Sequence, residues 1–290
     1  MRFLTIALFL FSSLPLRAGQ PLRAVSLSPS ITEALFAIGA GESVVGVTRY
    51  CRYPPEAEAL PAVGDFFSPN YERILSLVPD YVVVRDDYGQ DRTVLEDLGL
   101  RCVTVNHRTL RGLIESYRIL GKIFGRTAEG EEIAVRLDRE LSPAAWLPGA
   151  FPPPRILMIV GRDYGERGLV QAYAVGRDGL YDLILSAAGG ENAYQGELAF
   201  PMLTAEGVAS LDPDLVVELL PDDPGGGPDE ATLRQDWDAL ANLAAVRNGR
   251  ICIVRASYAF VPGPRLVRLR EDLERILADS CPPAARDGGR

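Results

Sequence analysis

Short runs of apolar residues alternate along the chain with segments in which apolar residues recur at every third or fourth position. The first run, 23–27, is followed by Ser28 and Pro29, a pair that favours a helix start because serine caps helices and proline fits their first turn. The pattern predicts strands at 23–27, 43–48, 81–85 and 102–106, and helices at 30–38, 71–77 and 93–98. Strands and helices that alternate in this way indicate parallel β-α-β units.

A long stretch without strand character follows, from 109 to about 141. Its apolar residues, among them Leu113, Tyr117 and Leu120, fall at helical spacing, and Gly125 is a candidate break. A proline-rich run at 148–154 ends the stretch. We therefore predict a helical connector between two halves of the chain.

Alternation resumes after the proline run. The pattern predicts strands at 155–160, 215–219 and 250–254, and helices at 180–188, 205–211, 237–241 and 265–278. The predicted fold class is α/β, with two lobes joined by one long connecting helix. We divide the chain into a signal peptide at 1–18, an N-terminal lobe at 19–108, the connector at 109–147 and a C-terminal lobe at 148–290.

The two halves contain an internal repeat. Residues 72–84 match residues 206–218 in register, and they share Glu, Ser, Leu, Pro, Asp and two Val. The Pro-Asp pair has a local explanation, because helix–turn–strand units favour such turns. The match of Glu72 with Glu206, and of Phe66 with Phe200, has no such explanation, since these residues lie outside the turn.

The N-terminus is typical of an exported protein. Arg2 precedes an apolar run at 3–14, and Ala18 is a small residue suited to a cleavage site. The run is too short to cross a bilayer, which favours a cleavable signal over an uncleaved anchor. No cysteine follows the run at once, so we expect a periplasmic protein without a lipid anchor.

The composition argues against several classes of function. The net charge of −9 over 290 residues makes nucleic acid an unsuitable partner. The single histidine, His107, and four cysteines without C-x-x-C spacing leave no material for a zinc site or a Cys/His catalytic cluster. No nucleophile elbow, P-loop or H-E-x-x-H motif is present, so we expect a binding protein that has no catalytic residues, no metal site and no resident cofactor.

Aromatic and arginine side chains collect in the loops at the predicted strand ends, where ligands bind in open α/β sheets. Such walls suit a large, partly apolar ligand with polar edges. Any one of these residues could instead serve loop packing. The candidate ligand-binding residues are Tyr50, Phe66, Phe67, Arg85, Arg162, Tyr164, Phe200, Tyr258 and Arg265.

Several segments resemble the periplasmic binding proteins for cobalamin, ferric siderophores and haem. These are 27–33 (LSPSITE), 45–55 (VGVTRYCRYPP), 70–74 (NYERI), 79–80 (PD) and 189–192 (GGEN). The similarity covers nearly all of the chain after the signal, is strongest in the N-terminal half, and is greatest to the cobalamin-binding member. It implies two Rossmann-like lobes on a helical backbone, a ligand held in the cleft with limited closure, and delivery to the permease dimer of an ABC importer.

The resemblance also assigns roles to residues. Tyr50 matches the family's cleft tyrosine, and Phe66 and Phe200 stand where the family has cleft tryptophans. Arg85 replaces a third cleft tryptophan. Glu72 and Glu206 match the two surface glutamates that dock onto permease arginines. The implied protein is a monomer that transports a corrinoid. A ferric siderophore or haem is the alternative, because Arg49, Arg85 and Arg162 would suit an anionic ligand. A periplasmic enzyme or a ligand sensor is the alternative from another class.

Metal ligation and disulfide pairing complete the sequence predictions. His107, Tyr50, Tyr53 or Cys51 could ligate the metal of a bound ligand. We expect a disulfide between Cys252, which opens the last strand, and Cys281, which follows the helix returning antiparallel to it. The redox states of Cys51 and Cys102 stay open, and their predicted positions at opposite ends of parallel strands argue against a bridge.

Overall fold

A computed structural model describes residues 21–142, 152–164, 168–222 and 227–280. The N-terminal lobe contains four strands and four helices. Its strands are β1 (Ala24–Ser26), β2 (Val44–Val47), β3 (Tyr81–Arg85) and β4 (Cys102–Val105). Its helices are α1 (Pro29–Ala37), α2 (Pro55–Glu58), α3 (Tyr71–Ser76) and α4 (Gly89–Asp97).

The four strands of this lobe form one parallel sheet in the order β2-β1-β3-β4. The sheet is covered on both faces, as parallel sheets require. Val83 packs into a core with Leu35 of α1. Val82 and Val84 point to the opposite face, into a second core with Ile74 of α3. This double burial explains the unbroken apolar run that predicts β3, whose observed bounds equal the predicted ones.

The connector consists of two helices rather than the one long helix predicted. Helix α5 (Leu110–Ile123) and helix α6 (Thr127–Leu141) are separated by a turn in which Gly125 adopts a φ of 68°. The two helices pack tightly because a Cβ on Gly121 would lie 3.2 Å from the Cα of Gly130. The predicted periodicity is therefore helical throughout, but the glycines turn the connector into a hairpin.

The C-terminal lobe has a mixed sheet in the order β10-β9-β5-β6-β8, with β7 paired to β5. Strands β5, β9 and β10 are parallel, whereas β6 runs antiparallel to both β5 and β8. The strands are β5 (Arg155–Arg162), β6 (Gln171–Ala174), β7 (Glu191–Asn192), β8 (Met202–Thr204), β9 (Leu215–Leu220) and β10 (Ile251–Arg255). The helices are α7 (Leu180–Ala187), α8 (Ala205–Leu211), α9 (Glu230–Trp237), α10 (Ala244–Arg247) and α11 (Leu266–Ser280).

Helix α9 lies earlier in the chain than the predicted helix at 237–241. Asp229 caps it, because its side chain accepts a hydrogen bond from the backbone N–H of Thr232. The helix ends at Trp237, whose indole is fully buried. The prediction began the helix at this tryptophan, whereas the helix ends there, because the helical residues that precede it are mostly polar.

The internal repeat has a structural counterpart at the start of each lobe. Asp80 accepts a hydrogen bond at 2.8 Å from the backbone N–H of Arg23, next to β1. Asp214, its repeat partner, accepts one at 2.8 Å from the N–H of Arg155, the first residue of β5. The Pro-Asp turn therefore joins the central strand pair in both lobes by the same hydrogen bond.

The two lobes share one apolar core. Leu35 of the N-terminal lobe, Leu113 and Leu137 of the connector, and Ile184 and Leu269 of the C-terminal lobe belong to a single buried cluster. Helix α6 packs against both α7 and α11. Within the described ranges, no helix is long and apolar enough to cross a membrane.

Candidate ligand-binding cleft

The carboxyl edges of the two sheets face each other. Glu33 lies in α1, which follows β1, and Arg265 lies just before α11, in the segment that follows β10. The Arg265 guanidinium binds the Glu33 carboxylate through two hydrogen bonds, of 2.8 Å from Nε to Oε2 and 2.5 Å from Nη2 to Oε1. The loops at these edges therefore border one cleft between the lobes.

Four of the aromatic residues predicted from the sequence to bind the ligand are exposed to solvent. The exposed fractions are 58% for Tyr50, 87% for Phe67, 54% for Phe200 and 38% for Tyr164. Two of these residues belong to the N-terminal lobe and two to the C-terminal lobe. Exposed rings of this size are typical of a binding surface, because monomeric proteins rarely expose large apolar patches without a function.

The N-terminal wall is an aromatic cluster built on Phe66. Its ring meets Phe67 and Tyr88 edge-on, with centroids 5.2 Å apart in both pairs. The Arg85 guanidinium lies 5.3 Å from the Phe66 centroid and donates to Asp87, at 3.0 Å from Nε to Oδ1. Asp87 therefore offsets the charge that the sequence places in this wall.

The loop that carries Tyr50 is tied to the loop that carries Phe67. The Arg49 guanidinium lies 5.6 Å from the Tyr50 ring centroid and forms an ion pair with Asp65. The other Asp65 carboxylate oxygen accepts 2.8 Å hydrogen bonds from the backbone N–H groups of Phe67 and Ser68. One aspartate thus orders two neighbouring parts of the cleft.

On the C-terminal wall, Phe200 packs against Tyr181 with their centroids 6.2 Å apart. The segment that carries Phe200 passes directly over Gly176. A Cβ at this position would lie only 1.7 Å from the carbonyl oxygen of Leu198, so glycine is required for the close approach.

Arg162 is turned away from the cleft. Its side chain is fully buried, and its Nε donates to Glu218 at 2.7 Å while its Nη1 donates to Asp236 at 2.8 Å. The ring of Tyr164 lies above it, with the guanidinium carbon 4.9 Å from the ring centroid. A direct contact between Arg162 and a ligand, as predicted from the sequence, would require this network to open.

Two further predicted cleft residues take part in local contacts. Tyr258 donates its hydroxyl hydrogen to Asp272, and its ring lies 5.9 Å from the Arg265 guanidinium. The same guanidinium lies 3.9 Å from the ring centroid of Tyr53. The sequence did not single out Tyr53 or Glu33 as partners of Arg265, because they are more than 200 positions away in the chain.

Glu72 and Glu206 occupy equivalent and exposed positions. Each is the second residue of its helix, α3 or α8. The helices are capped alike: the side chain of Asn70 accepts from Arg73 N–H, and that of Thr204 accepts from Gly207 N–H. Within the described residues neither glutamate forms an ion pair, so both carboxylates are available to a partner.

His107 and Cys51 are buried rather than presented to the cleft. The Nδ1 atom of His107 lies 2.9 Å from Ser30 Oγ, and burial, together with the nearby charge of Arg85, lowers its pKa to about 3. Burial raises the pKa of Cys51, whose sulfur is within hydrogen-bonding reach of Thr32 and Thr48. Among the candidate metal ligands, Tyr50 and Tyr53 have exposed side chains.

Two sequence predictions fall on residues that the structure does not describe. The signal peptide, 1–18, precedes the first described residue. Cys281 follows the last one, so its pairing with Cys252 stays a prediction.

A cavity of about 1070 Å³ lies between the lobes, bordered by α1, α2, α6 and α11, and Glu33, Tyr53 and Arg265 line it. Its walls mix arginines and glutamates, and Arg265 is the one predicted ligand-binding residue among them. The cavity therefore lies outside the aromatic surface formed by Tyr50, Phe66, Phe67, Tyr164 and Phe200.

Two α/β lobes on a helical connector, with exposed aromatic side chains in the loops of both lobes, are the architecture of a two-lobed solute-binding protein. The chain belongs to the periplasmic binding protein family, whose model matches residues 25–258. Proteins of this family bind solutes for ABC importers, and the relatives found are binding proteins rather than enzymes.

Sequence relatives include the vitamin B12-binding protein of Salmonella typhimurium, 27% identical over 259 residues that cover 88% of this chain and 90% of that one. An uncharacterised ABC transporter substrate-binding lipoprotein of Bacillus subtilis is 25% identical over 274 residues, covering 90% of this chain and 82% of its own. Among solved structures, the periplasmic haem-binding protein BhuT in complex with two haems aligns with a TM-score of 0.72 at 27% identity, covering 89% of this chain and 98% of that one.

Proposed function

We propose that the protein binds cobalamin or a related corrinoid in its interlobe cleft and delivers it to the permease dimer of an ABC importer. The observation that carries this proposal is the set of four exposed rings, Tyr50, Phe67, Tyr164 and Phe200, divided between the two lobes. A broad, partly apolar macrocycle has the shape to contact rings on both sides at once.

The pairing of the cleft arginines favours a corrinoid over an anionic siderophore. Arg85 is paired with Asp87, Arg162 with Glu218 and Arg265 with Glu33. An anionic ligand would have to compete with carboxylates already in place, at a cost in desolvation. The vitamin B12-binding relatives support the same choice.

Haem is the second candidate, and Tyr50 favours it. Its phenol is exposed beside the Arg49 guanidinium, and a tyrosine oxygen is an established type of haem-iron ligand. The similarity to haem-binding structures supports this alternative.

Titration of the purified protein with cyanocobalamin, haemin and a ferric siderophore, each in a separate experiment, tests the proposal. We expect one corrinoid site per chain with micromolar or tighter affinity, about −8 kcal/mol, by calorimetry. A Soret shift with haemin and no heat with any corrinoid would replace the corrinoid by haem.

A hydrolase is the alternative that the geometry argues against. Ser30 and His107 are within hydrogen-bonding distance, as a nucleophile and its base would be. Both side chains are buried, and a histidine with a pKa of about 3 is a weak base. The Nε2 atom of His107 has no partner among the described residues, so the orienting group of a triad is not in place there.

A further inference from the structure

A buried group of charges lies below the C-terminal wall of the cleft. Arg162 of β5, Glu218 of β9 and Asp236 of α9 form it, through hydrogen bonds of 2.7 Å to Glu218 and 2.8 Å to Asp236. The side chains of Arg162 and Glu218 are both fully buried. We call these three residues the charged cluster.

Further hydrogen bonds extend from the cluster to the surrounding chain. Trp237 Nε1 donates to Glu218 at 3.1 Å, and the backbone N–H of Gly168 donates to Asp236 at 3.1 Å. The third guanidinium nitrogen of Arg162 donates to the carbonyl oxygen of Leu233 at 3.3 Å. The cluster therefore joins two strands, helix α9 and Gly168, which lies shortly before β6.

The fold of the lobe does not require these charges. The internal repeat places Val84 of β3 at the position of Glu218, and Val84 is buried among apolar residues that include Ile74 and Leu95. Burial of an ion pair often stabilises no more than an apolar replacement of the same volume. The N-terminal lobe thus shows that this strand can be built without a charge, and the cluster calls for another explanation.

Each of the four exposed rings of the cleft lies beside a partner, which for Tyr50 is the guanidinium of Arg49. Phe67 rests on Phe66, and Phe200 rests on Tyr181. Tyr164 has two partners in the charged cluster: the guanidinium of Arg162 lies 4.9 Å from its ring centroid, and its hydroxyl interacts with Glu218. A guanidinium plane held by two carboxylates is a flat and fixed support, to which an aromatic ring binds through cation–π attraction.

We propose that Arg162 is a positioning residue, which the charged cluster fixes so that it holds the Tyr164 ring in place for the ligand. This inference rests on the proposed function, and it replaces the direct ligand contact predicted for Arg162. A ring that is fixed before binding loses less conformational entropy when the ligand arrives, which increases affinity.

A double-mutant cycle tests the inference. The triple variant Arg162→Met, Glu218→Gln, Asp236→Asn removes every charge of the cluster while it keeps acceptors for Trp237 and Gly168. We expect the triple variant and Tyr164→Ala each to weaken cyanocobalamin or haemin binding about tenfold. The variant that combines all four substitutions should lose no more affinity than either of them alone. Additive losses, or unchanged affinity in the triple variant, would overturn the inference.

A matched control removes an ion pair between the C-terminal lobe and the connector. Arg270 of α11 binds Glu140 at 2.9 Å, away from the aromatic walls. Arg270→Met with Glu140→Gln should leave the affinity unchanged. Urea unfolding of each variant shows whether the fold is kept.

A second measurement needs no ligand, and so separates this inference from the proposed function. In protein labelled with 3-fluorotyrosine, the ¹⁹F resonance of Tyr164 is identified by its loss in Tyr164→Phe. The triple variant should narrow it and shift it towards the value of a free tyrosine, whereas the resonance of Tyr50 should not change. An unchanged Tyr164 resonance rejects the positioning role, while failure of the wild type to bind any probe rejects the proposed function alone.

Discussion

At the scale of single residues, the cleft combines exposed rings with arginines whose charges are already paired. Arg49 is paired with Asp65, Arg85 with Asp87, and Arg265 with Glu33. We therefore predict that ligand contact area comes mainly from the rings and that the guanidinium groups act as supports for them. Single substitutions should separate these two contributions.

The double variant Phe66→Ala with Phe200→Ala should bind the ligand more weakly. Each ring lost from a buried contact costs about 1–3 kcal/mol of binding free energy. Calorimetric titration with cyanocobalamin measures the loss, and Leu98→Ala, at an exposed apolar position on the outside of the N-terminal lobe, is the control. Wild-type affinity in the double variant would place these rings outside the site.

His107 makes a specific contribution to acid stability. Its pKa is about 3 in the folded protein, because of burial first and then Arg85, with Asp87 acting in the opposite direction. The unfolded chain binds a proton near the ordinary value of 6.5. Above pH 6.5 the ring is neutral in both states, and the folded protein has its full stability. Between pH 6.5 and about 3 the unfolded chain binds a proton that the folded chain does not, so the free energy of unfolding falls by about 1.4 kcal/mol per pH unit.

Urea unfolding of His107→Asn between pH 7 and pH 4 measures this contribution. The asparagine amide can keep the hydrogen bond to Ser30 and does not titrate. We expect the variant to lose less stability on acidification than the wild type does. Parallel pH curves for the two proteins would contradict the assignment.

The residues of the candidate site could be recognised from the sequence, but the ion pairs that its arginines form could not. Phe66, Phe200 and Tyr50 are recognisable from the repeat and from the family resemblance. The partners of Arg162 and Arg265 lie 56 and 232 positions away in the chain, so their contacts depend on the tertiary structure. A prediction from sequence therefore counts these arginines as available charges, whereas the structure shows them paired.

At the scale of elements, the parallel strands and the repeat helices could be predicted best. Strand β3 and helix α8 have the predicted bounds, because a fully buried strand and a capped helix leave clear patterns. Strands β6 and β8 were not predicted. They are short, and Tyr173 and Met202, which pair across them, are exposed, so no apolar run marks them.

Helices α3 and α8 present Glu72 and Glu206 alike, and we predict that these acids dock the protein onto its permease. An acid in the first turn also complements the helix dipole, by roughly 0.3–1 kcal/mol, but that effect does not require the same residue in both lobes. The variant Glu72→Ala with Glu206→Ala should keep its ligand affinity and lose transport with the cognate permease. Charge pairs across an interface fix the orientation of the two partners. The loss of both pairs should therefore cost several kcal/mol of the free energy of association with the permease.

A control with the same change of charge sharpens this test. Glu115 and Glu132 are exposed on the connector helices. Glu115→Ala with Glu132→Ala should transport normally. Normal uptake by the Glu72 and Glu206 variant would favour a sensor over a transport protein, and loss of ligand binding would place these acids in the cleft.

At the scale of the whole molecule, the ion pair of Glu33 with Arg265 joins the two lobes directly. Glu33 is almost fully buried, and Tyr53 covers the guanidinium. Removing one partner of a buried pair leaves an uncompensated charge, which costs about 3–5 kcal/mol. The pair should therefore fix the angle between the lobes.

We predict that Arg265→Met lowers the free energy of unfolding by about 3 kcal/mol and that adding Glu33→Gln restores much of it. Burial raises the pKa of Glu33 despite the hydrogen bonds from Arg265. The single variant should therefore recover stability on mild acidification, as the unpaired carboxylate binds a proton. Urea unfolding measures both effects, and Arg275→Met, an exposed arginine farther along α11, is the control. Equal stability of Arg265→Met and wild type would refute the role of the pair.

The apolar core that runs from α1 through the connector to α11 has a thermodynamic consequence. Two lobes with separate cores can unfold independently. Here the lobes share one core, so unfolding of one lobe would expose the apolar residues of the other. Heating should therefore give one calorimetric peak. Ligand bound at the cleft would raise the temperature of that single peak by mass action, so that occupancy of a small surface is reported by the melting of the entire chain.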